Sequence, residues 1–108
     1  MAARKTKIGF VYLLQSASST SIFKYGCSTV SPESRCKKVN QDNKGLDFTV
    51  IACFKSFDIF HDEKIVKWDL FDSGAGFAGE IFDISETGEF ETGQEVMLKF
   101  LMVGGVIK

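Results

Sequence analysis

Two apolar segments near the start of the chain, separated by six small and mostly polar residues, constrain its fold most strongly. Ile8–Gln15 and Ile22–Cys27 are rich in aromatic, aliphatic and β-branched residues, which favour strands. The polar segment between them, Ser16–Ser21, predicts a loop. The two segments therefore predict a hairpin with a fairly long connection, and the first strand is expected to be buried.

A helix start follows the hairpin and is marked residue by residue. Ser31 is a good N-cap, Pro32 fits the first helical position, and Glu33 places negative charge where it suits the helix dipole. This helix is predicted to run to about Asn40, and residues 43–45 should end it.

The rest of the chain predicts further alternation of strands and helices. The predicted elements are a strand over 47–57, a helix beginning at Asp58, a break at 74–76, a short extended segment over 80–84, and a last helix within 90–103. The nearly continuous apolar run in 47–57 predicts a central strand. The order β-β-α-β-α-(β)-α predicts one α/β (α+β) domain over 1–108, with a small, mainly antiparallel three-stranded sheet flanked by helices.

Composition narrows the class of protein further. No apolar run approaches the roughly 18 residues of a membrane-spanning helix, so no contact with a membrane is expected. The three cysteines are widely spaced and form no C-x-x-C pair. They predict reduced thiols and a cytoplasmic location, rather than a disulfide framework or a zinc site.

The net charge of −1 conceals an asymmetry along the chain. Residues 1–57 carry nine Lys or Arg and three Asp or Glu, whereas residues 58–95 carry two Lys and eleven Asp or Glu. The basic half could bind nucleic-acid phosphates. The acidic half, 58–95, could hold a metal, bind a basic protein partner, or face solvent. Two solvated faces of opposite sign would produce the same composition.

Four short motifs occur in a set order along these elements. They are Gly9-Phe10-Val11-Tyr12 on the first strand, Lys24-Tyr25-Gly26 on the second, Ser31–Asn40 on the first helix, and Gly79–Ile84 after the second helix. Together they resemble the motifs of GIY-YIG nucleases, in particular a phage- and virus-associated branch with G-x-V-Y, K-I-G, S-P-E-x-R and E-x-F segments. The resemblance covers about residues 8–84, and the helix within 90–103 is an addition to it.

The resemblance implies a DNA endonuclease that hydrolyses the phosphodiester bond with one Mg²⁺ or Mn²⁺ ion. Glu80 is implied as the metal ligand, since hard cations prefer carboxylate oxygen. Arg35 is implied as the group that stabilises charge on the phosphate. Tyr12 matches the phenol that orients the attacking water or takes its proton.

Further residues are implied as contacts to the substrate. Lys24 could place its ammonium group on a phosphate. Gly26, which has no side chain, would allow the DNA to approach the protein backbone closely. Lys37 and Lys38 are implied as additional DNA contacts. Asn40, where the helix closes, is expected to be structural. If the chain is phage-encoded, its location would be the host cytoplasm.

One departure from the resemblance leaves a second hypothesis open. The related branch carries a histidine four residues after a glutamate on the second helix, whereas Glu63 is followed by Lys67 here. The only histidine, His61, precedes Glu63. The alternative is therefore a catalytically inactive domain of the same fold that binds a protein partner or nucleic acid, for example in phage–host interference.

Packing explanations compete with several of these roles. Tyr12 could be a core residue, and Arg35, Lys24 and Glu80 could be solvated. The aromatic residues Phe48, Phe54, Phe57, Phe60, Trp68 and Phe71 are predicted to form the core rather than a surface for stacking bases. The apolar last helix could form a homo-oligomer contact.

Overall fold

In the computed structural model of the chain, the described residues are 7–42, 45, 47–71, 81–87 and 92–106. Its elements are β1 (Gly9–Ser16), β2 (Ile22–Ser28), α1 (Pro32–Asp42), β3 (Phe48–Ser56), α2 (Ile59–Phe71), β4 (Ile81–Asp83), α3 (Ile84–Thr87) and α4 (Gly93–Val103). The predicted α/β class and element order are confirmed. The one-turn helix α3 was not predicted.

The described strands form one antiparallel sheet in the order β3-β1-β2-β4. The predicted hairpin of β1 and β2 is confirmed, and it places Tyr12 opposite Gly26 and Leu14 opposite Lys24. The predicted short extended segment becomes β4, which adds a fourth, three-residue strand beside β2. β1 thus lies in the interior of the sheet.

The prediction that the third strand is central is wrong. Within the described part of the chain, β3 pairs with β1 alone and forms an edge of the sheet. Its apolar run has another cause, because both of its faces are covered. Phe54 packs in the core cluster beneath α2 and α4, and Phe48 packs in the cluster beneath α1. A strand covered on both faces is largely apolar, wherever it lies in the sheet.

The sheet separates two layers of buried side chains. The larger core contains Val11, Leu13, Phe23, Tyr25, Ala52, Phe54, Val66, Ile84, Val96 and Phe100. The smaller core, under α1, contains Tyr12, Leu14, Cys36, Val39 and Phe48. Since alternate residues of β1 enter opposite layers, this one strand organises both cores.

The aromatic residues predicted to be core divide into three groups. Phe48 and Phe54 are buried, as predicted. Phe57 and Phe60 are exposed, so the prediction is wrong for these two. The buried side of α2 is formed by Ile59 and Val66 instead. The side chains of Trp68 and Phe71 lie outside the described part of the chain.

The predicted helix starts are confirmed by their capping hydrogen bonds. The backbone N–H of Ser34 donates to Ser31 Oγ at 3.2 Å, and that of His61 donates to Asp58 Oδ1 at 3.4 Å. These side chains satisfy amide groups that have no partner inside the helix. The sequence therefore determines where α1 begins, and α1 carries the basic residues discussed below.

Asn40 fixes the other end of α1 to the sheet. Its Nδ2 donates to the carbonyl of Phe48 at 2.9 Å, and its Oδ1 accepts from the N–H of Phe48 at 2.9 Å. The amide side chain thus satisfies both backbone groups of the first residue of β3. This is the structural role expected for Asn40.

Asp47 closes the β1–β2 connection onto the start of β3. Ser16 Oγ donates to Asp47 Oδ1 at 2.7 Å, and the N–H of Ser18 donates to Oδ2 at 2.8 Å. The hydrogen bonds from Ser16 and Ser18 hold the pKa of the Asp47 carboxyl below its usual value. The ionised carboxylate therefore holds this connection at neutral pH.

Candidate functional site

Three of the predicted site residues lie on the sheet face that α1 covers. Cross-strand partners point to the same side of a sheet, so Tyr12 and Gly26 share a face, and so do Leu14 and Lys24. Tyr12 and Leu14 both belong to the core under α1, which identifies this face. Tyr12, Lys24 and Gly26 are therefore brought together beneath and beside α1.

Tyr12 is buried within this arrangement, with 1% of its surface exposed. It packs in the same cluster as Leu14, Cys36, Val39 and Phe48. Burial of this extent is the result expected if Tyr12 is a core residue. The role of Tyr12 in orienting water stays a prediction.

A basic cleft lies at the end of β2, between α1 and the start of α2. Its volume is 560 Å³, and it is lined by Lys7, Cys27, Ser28, Thr29, Val30, Ser34, Arg35, Lys38, Ile59 and Phe60. Three of these side chains are cationic, and none of the described lining residues is acidic. The cleft therefore offers a positive potential to an anionic ligand.

Arg35 and Lys38 share this cleft because of their spacing on α1. Residues three apart on a helix are neighbours on one side of it. Lys38 also forms an ion pair with Asp42 at 3.9 Å, but both side chains are largely exposed. An exposed pair of this kind contributes little energy, so Lys38 can turn toward a phosphate at small cost.

Lys37 lies on the opposite flank of α1. It lines a separate groove of 420 Å³ together with Glu33, Cys36, Asn40, Phe48, Thr49 and Val50. Lys37 and Lys38 were predicted as contacts to the same DNA, and the structure places them in different grooves. Of these two lysines, only Lys38 lies in the cleft with Arg35.

The row of residues on β2 connects Lys24 and Gly26 to the cleft. Alternate residues of a strand lie on one face about 6.6 Å apart, so Lys24, Gly26 and Ser28 form one row. Ser28 lines the cleft. An extended anionic chain lying in the cleft could therefore continue along β2 toward the Lys24 ammonium group.

Gly9 allows β1 to approach the same end of β2. A Cβ atom at this position would fall well inside van der Waals contact with the Ser28 carbonyl oxygen. That oxygen belongs to the backbone and cannot rotate away. The glycine of the first motif is thus explained by strand packing beside the cleft.

Lys7 and Phe60 were not among the residues predicted for the site from the sequence. The Lys7 carbonyl accepts a hydrogen bond from the N–H of Ile59 at 3.0 Å, which joins the N-terminal segment to the start of α2. This tertiary contact brings Lys7 and Phe60 to the cleft. The basic N-terminal residues were the only available signal for Lys7.

The predicted metal ligand, Glu80, lies outside the described residues. Ile81, which follows it in the chain, pairs with Lys24. Within the described ranges, no group of three or more His, Cys, Asp or Glu side chains could hold a metal ion. A site for Mg²⁺ or Mn²⁺ at Glu80 therefore stays a prediction from the sequence, on donor chemistry that suits either ion.

The fold and the site define a small α/β domain with a basic cleft beside an antiparallel sheet. Comparison of the chain with protein-family models, curated proteins and solved structures finds no match. No helix in the described part of the chain is both long and apolar enough to span a membrane. The resemblance to GIY-YIG nucleases stays a prediction carried by the four motifs.

Proposed function

We propose that this chain is a metal-dependent DNA endonuclease of the GIY-YIG type that binds the phosphate backbone in the basic cleft. The observation that carries the proposal is the placement of Arg35, the implied catalytic arginine. It lies with Lys7 and Lys38 in a cleft whose described lining has no carboxylate. Neutralising phosphates with such side chains supplies most of the affinity of proteins for DNA.

Each basic residue has a distinct role in the proposed reaction. The Arg35 guanidinium donates hydrogen bonds to the phosphate under attack and stabilises its developing charge. Lys7 and Lys38 bind neighbouring phosphates, and Lys24 binds a phosphate further along β2. Glu80 would hold Mg²⁺ or Mn²⁺, and the bound ion would supply Lewis-acid chemistry at the phosphate.

Tyr12 takes a positioning role in this proposal. A phenol that orients the attacking water must meet that water, and Tyr12 is buried under α1. We therefore assign its side chain to packing between β1 and α1. Through that packing Tyr12 positions α1, the helix that carries Arg35, on the sheet.

A second candidate is a non-catalytic binding module with a protein partner. The acidic residues of 58–95, among them Asp62 and Glu63 on α2, would suit a basic partner. Lys67 in place of the histidine of the related branch favours this candidate. A homo-oligomer contact on α4 would have to use its exposed residues Leu98 and Met102, since Val96 and Phe100 are buried. The proposed location is the cytoplasm in either case.

Cleavage of DNA tests the proposal, and the metal ligand provides its control. Purified protein is incubated with supercoiled plasmid and with branched DNA in Mg²⁺, Mn²⁺ or EDTA, beside the Glu80→Ala variant. We expect nicking that requires the divalent ion and disappears in the variant, because the variant lacks the carboxylate that would hold the ion.

A set of negative results would reject the proposal. If wild-type protein cleaves neither substrate with either ion, the binding module becomes the better account. Cleavage that persists in Glu80→Ala at the wild-type rate would show that Glu80 is not the ligand.

A further inference from the structure

Two exposed apolar side chains lie at the basic cleft. Phe60 and Val30 both line it, with 51% and 53% of their surfaces exposed. Phe57, three residues before Phe60, is 77% exposed. The ring of Phe60 is therefore presented to solvent beside Lys7, Arg35 and Lys38.

The fold does not account for the position of Phe60. The buried side of α2 is formed by Ile59 and Val66, with 2% and 0% of their surfaces exposed. Burying a phenylalanine side chain stabilises a protein by about 1.5–3 kcal/mol, and Phe60 forgoes much of that gain. A partly exposed ring inside a charged cleft is thus available to a ligand.

The combination of charge and ring selects the chemistry of that ligand. Side chains that neutralise phosphates, next to an aromatic ring, are the arrangement that binds single-stranded nucleic acid, because each unpaired base has a π-face that stacks on the ring. A regular duplex hides those faces between its base pairs. A basic protein partner would be repelled by the cleft.

We infer that the cleft binds a single-stranded segment of DNA, with one unpaired base stacked on Phe60 and the adjacent phosphates on Arg35, Lys38 and Lys7. This inference deepens the proposed function by naming its substrate class as DNA with unpaired nucleotides. Binding itself requires neither the metal ion nor cleavage. The two claims can therefore fail separately.

Fluorescence anisotropy with the intact chain tests the inference. Fluorescein-labelled 15-nucleotide single strands, 15-base-pair duplexes and single strands made of abasic sites are titrated in EDTA. We expect the ordinary single strand to bind more tightly than either of the others. Phe60→Ala should weaken its binding about 5- to 150-fold, the equivalent of one lost base stack, and change duplex binding less than twofold.

Two variants separate stacking from other effects. Phe60→Trp keeps an aromatic face and should retain the wild-type affinity for the single strand. Leu98→Ala removes an exposed apolar side chain from α4 and should change nothing, since Leu98 does not line the cleft.

Specific outcomes would overturn the inference. Equal affinity of the wild type for single strand and duplex, or for ordinary and abasic strands, would show that no unpaired base contributes to binding. Unchanged binding by Phe60→Ala would exclude Phe60 as the stacking group. If either result is found but the protein still binds and cleaves duplex DNA, the proposed function stands.

Discussion

Arg35→Ala is expected to reduce the rate of DNA cleavage about 100- to 1,000-fold, the usual effect of removing one donor that stabilises transition-state charge. The loss should appear in the turnover rate at saturating DNA, because the guanidinium acts most strongly on the phosphate as its charge develops. Initial rates of plasmid nicking in Mg²⁺, at several DNA concentrations, measure the effect.

Lys37→Ala is the matched control for this prediction. It removes one positive charge from the same helix but from the groove on the opposite flank of α1. We expect its cleavage rate to stay within about threefold of the wild type, since a distant exposed charge is largely screened. Equal losses in Arg35→Ala and Lys37→Ala would contradict the placement of the site. Far-UV circular dichroism should match the wild type for both variants.

Phe100→Ala is expected to lower the free energy of unfolding by about 3–5 kcal/mol, as for other phenylalanine side chains removed from a packed core. Phe100 is 0% exposed, and its ring centroid lies 5.2 Å from that of Phe54. A small domain has only about 5–15 kcal/mol of total stability, so the variant should be close to unfolding. Urea denaturation followed by circular dichroism measures the change.

Leu98→Ala provides the comparison on the same helix. Leu98 is 43% exposed, and we expect its removal to cost less than about 0.5 kcal/mol. The pair also tests whether α4 belongs to the domain or is an added contact surface. An unchanged urea midpoint for Phe100→Ala would mean that α4 is not docked on the sheet.

Local signals in the sequence predicted most of the elements. The caps at Ser31 and Asp58 could be recognised because a side-chain oxygen satisfies amide groups two or three residues later, which is a purely local contact. The order of strands could not be read in the same way. The apolar run in β3 indicates that both faces of the strand are covered. It does not indicate which strands lie beside β3.

The exposure of Phe60 illustrates a second limit. Ile59 and Phe60 are adjacent and both apolar, but successive residues of a helix point about 100° apart. Only the packing of α2 on the sheet decides which of the two is buried. Hydrophobicity alone therefore could not show that Phe60 is exposed.

The candidate site was predictable where it depends on helix spacing. Arg35 and Lys38, three residues apart, had to share one side of α1, and by the same geometry Lys37 could have been placed on another. Lys7 could not be predicted, because its position depends on the hydrogen bond between its carbonyl and Ile59. A contact across 52 positions of the sequence leaves no local pattern.

The central claim is that DNA lies in the cleft between α1, the end of β2 and the start of α2. Its most direct test is an NMR titration of ¹⁵N-labelled protein with a short duplex bearing a single-stranded overhang, with Ca²⁺ in place of Mg²⁺ to prevent cleavage. We predict that the largest amide shifts occur at Ser28–Val30, Ser34 and Arg35 and at Ile59 and Phe60, with Thr49 and Val50 unaffected. Shifts confined to α4 or to the groove of Lys37, or no shifts at all, would contradict it.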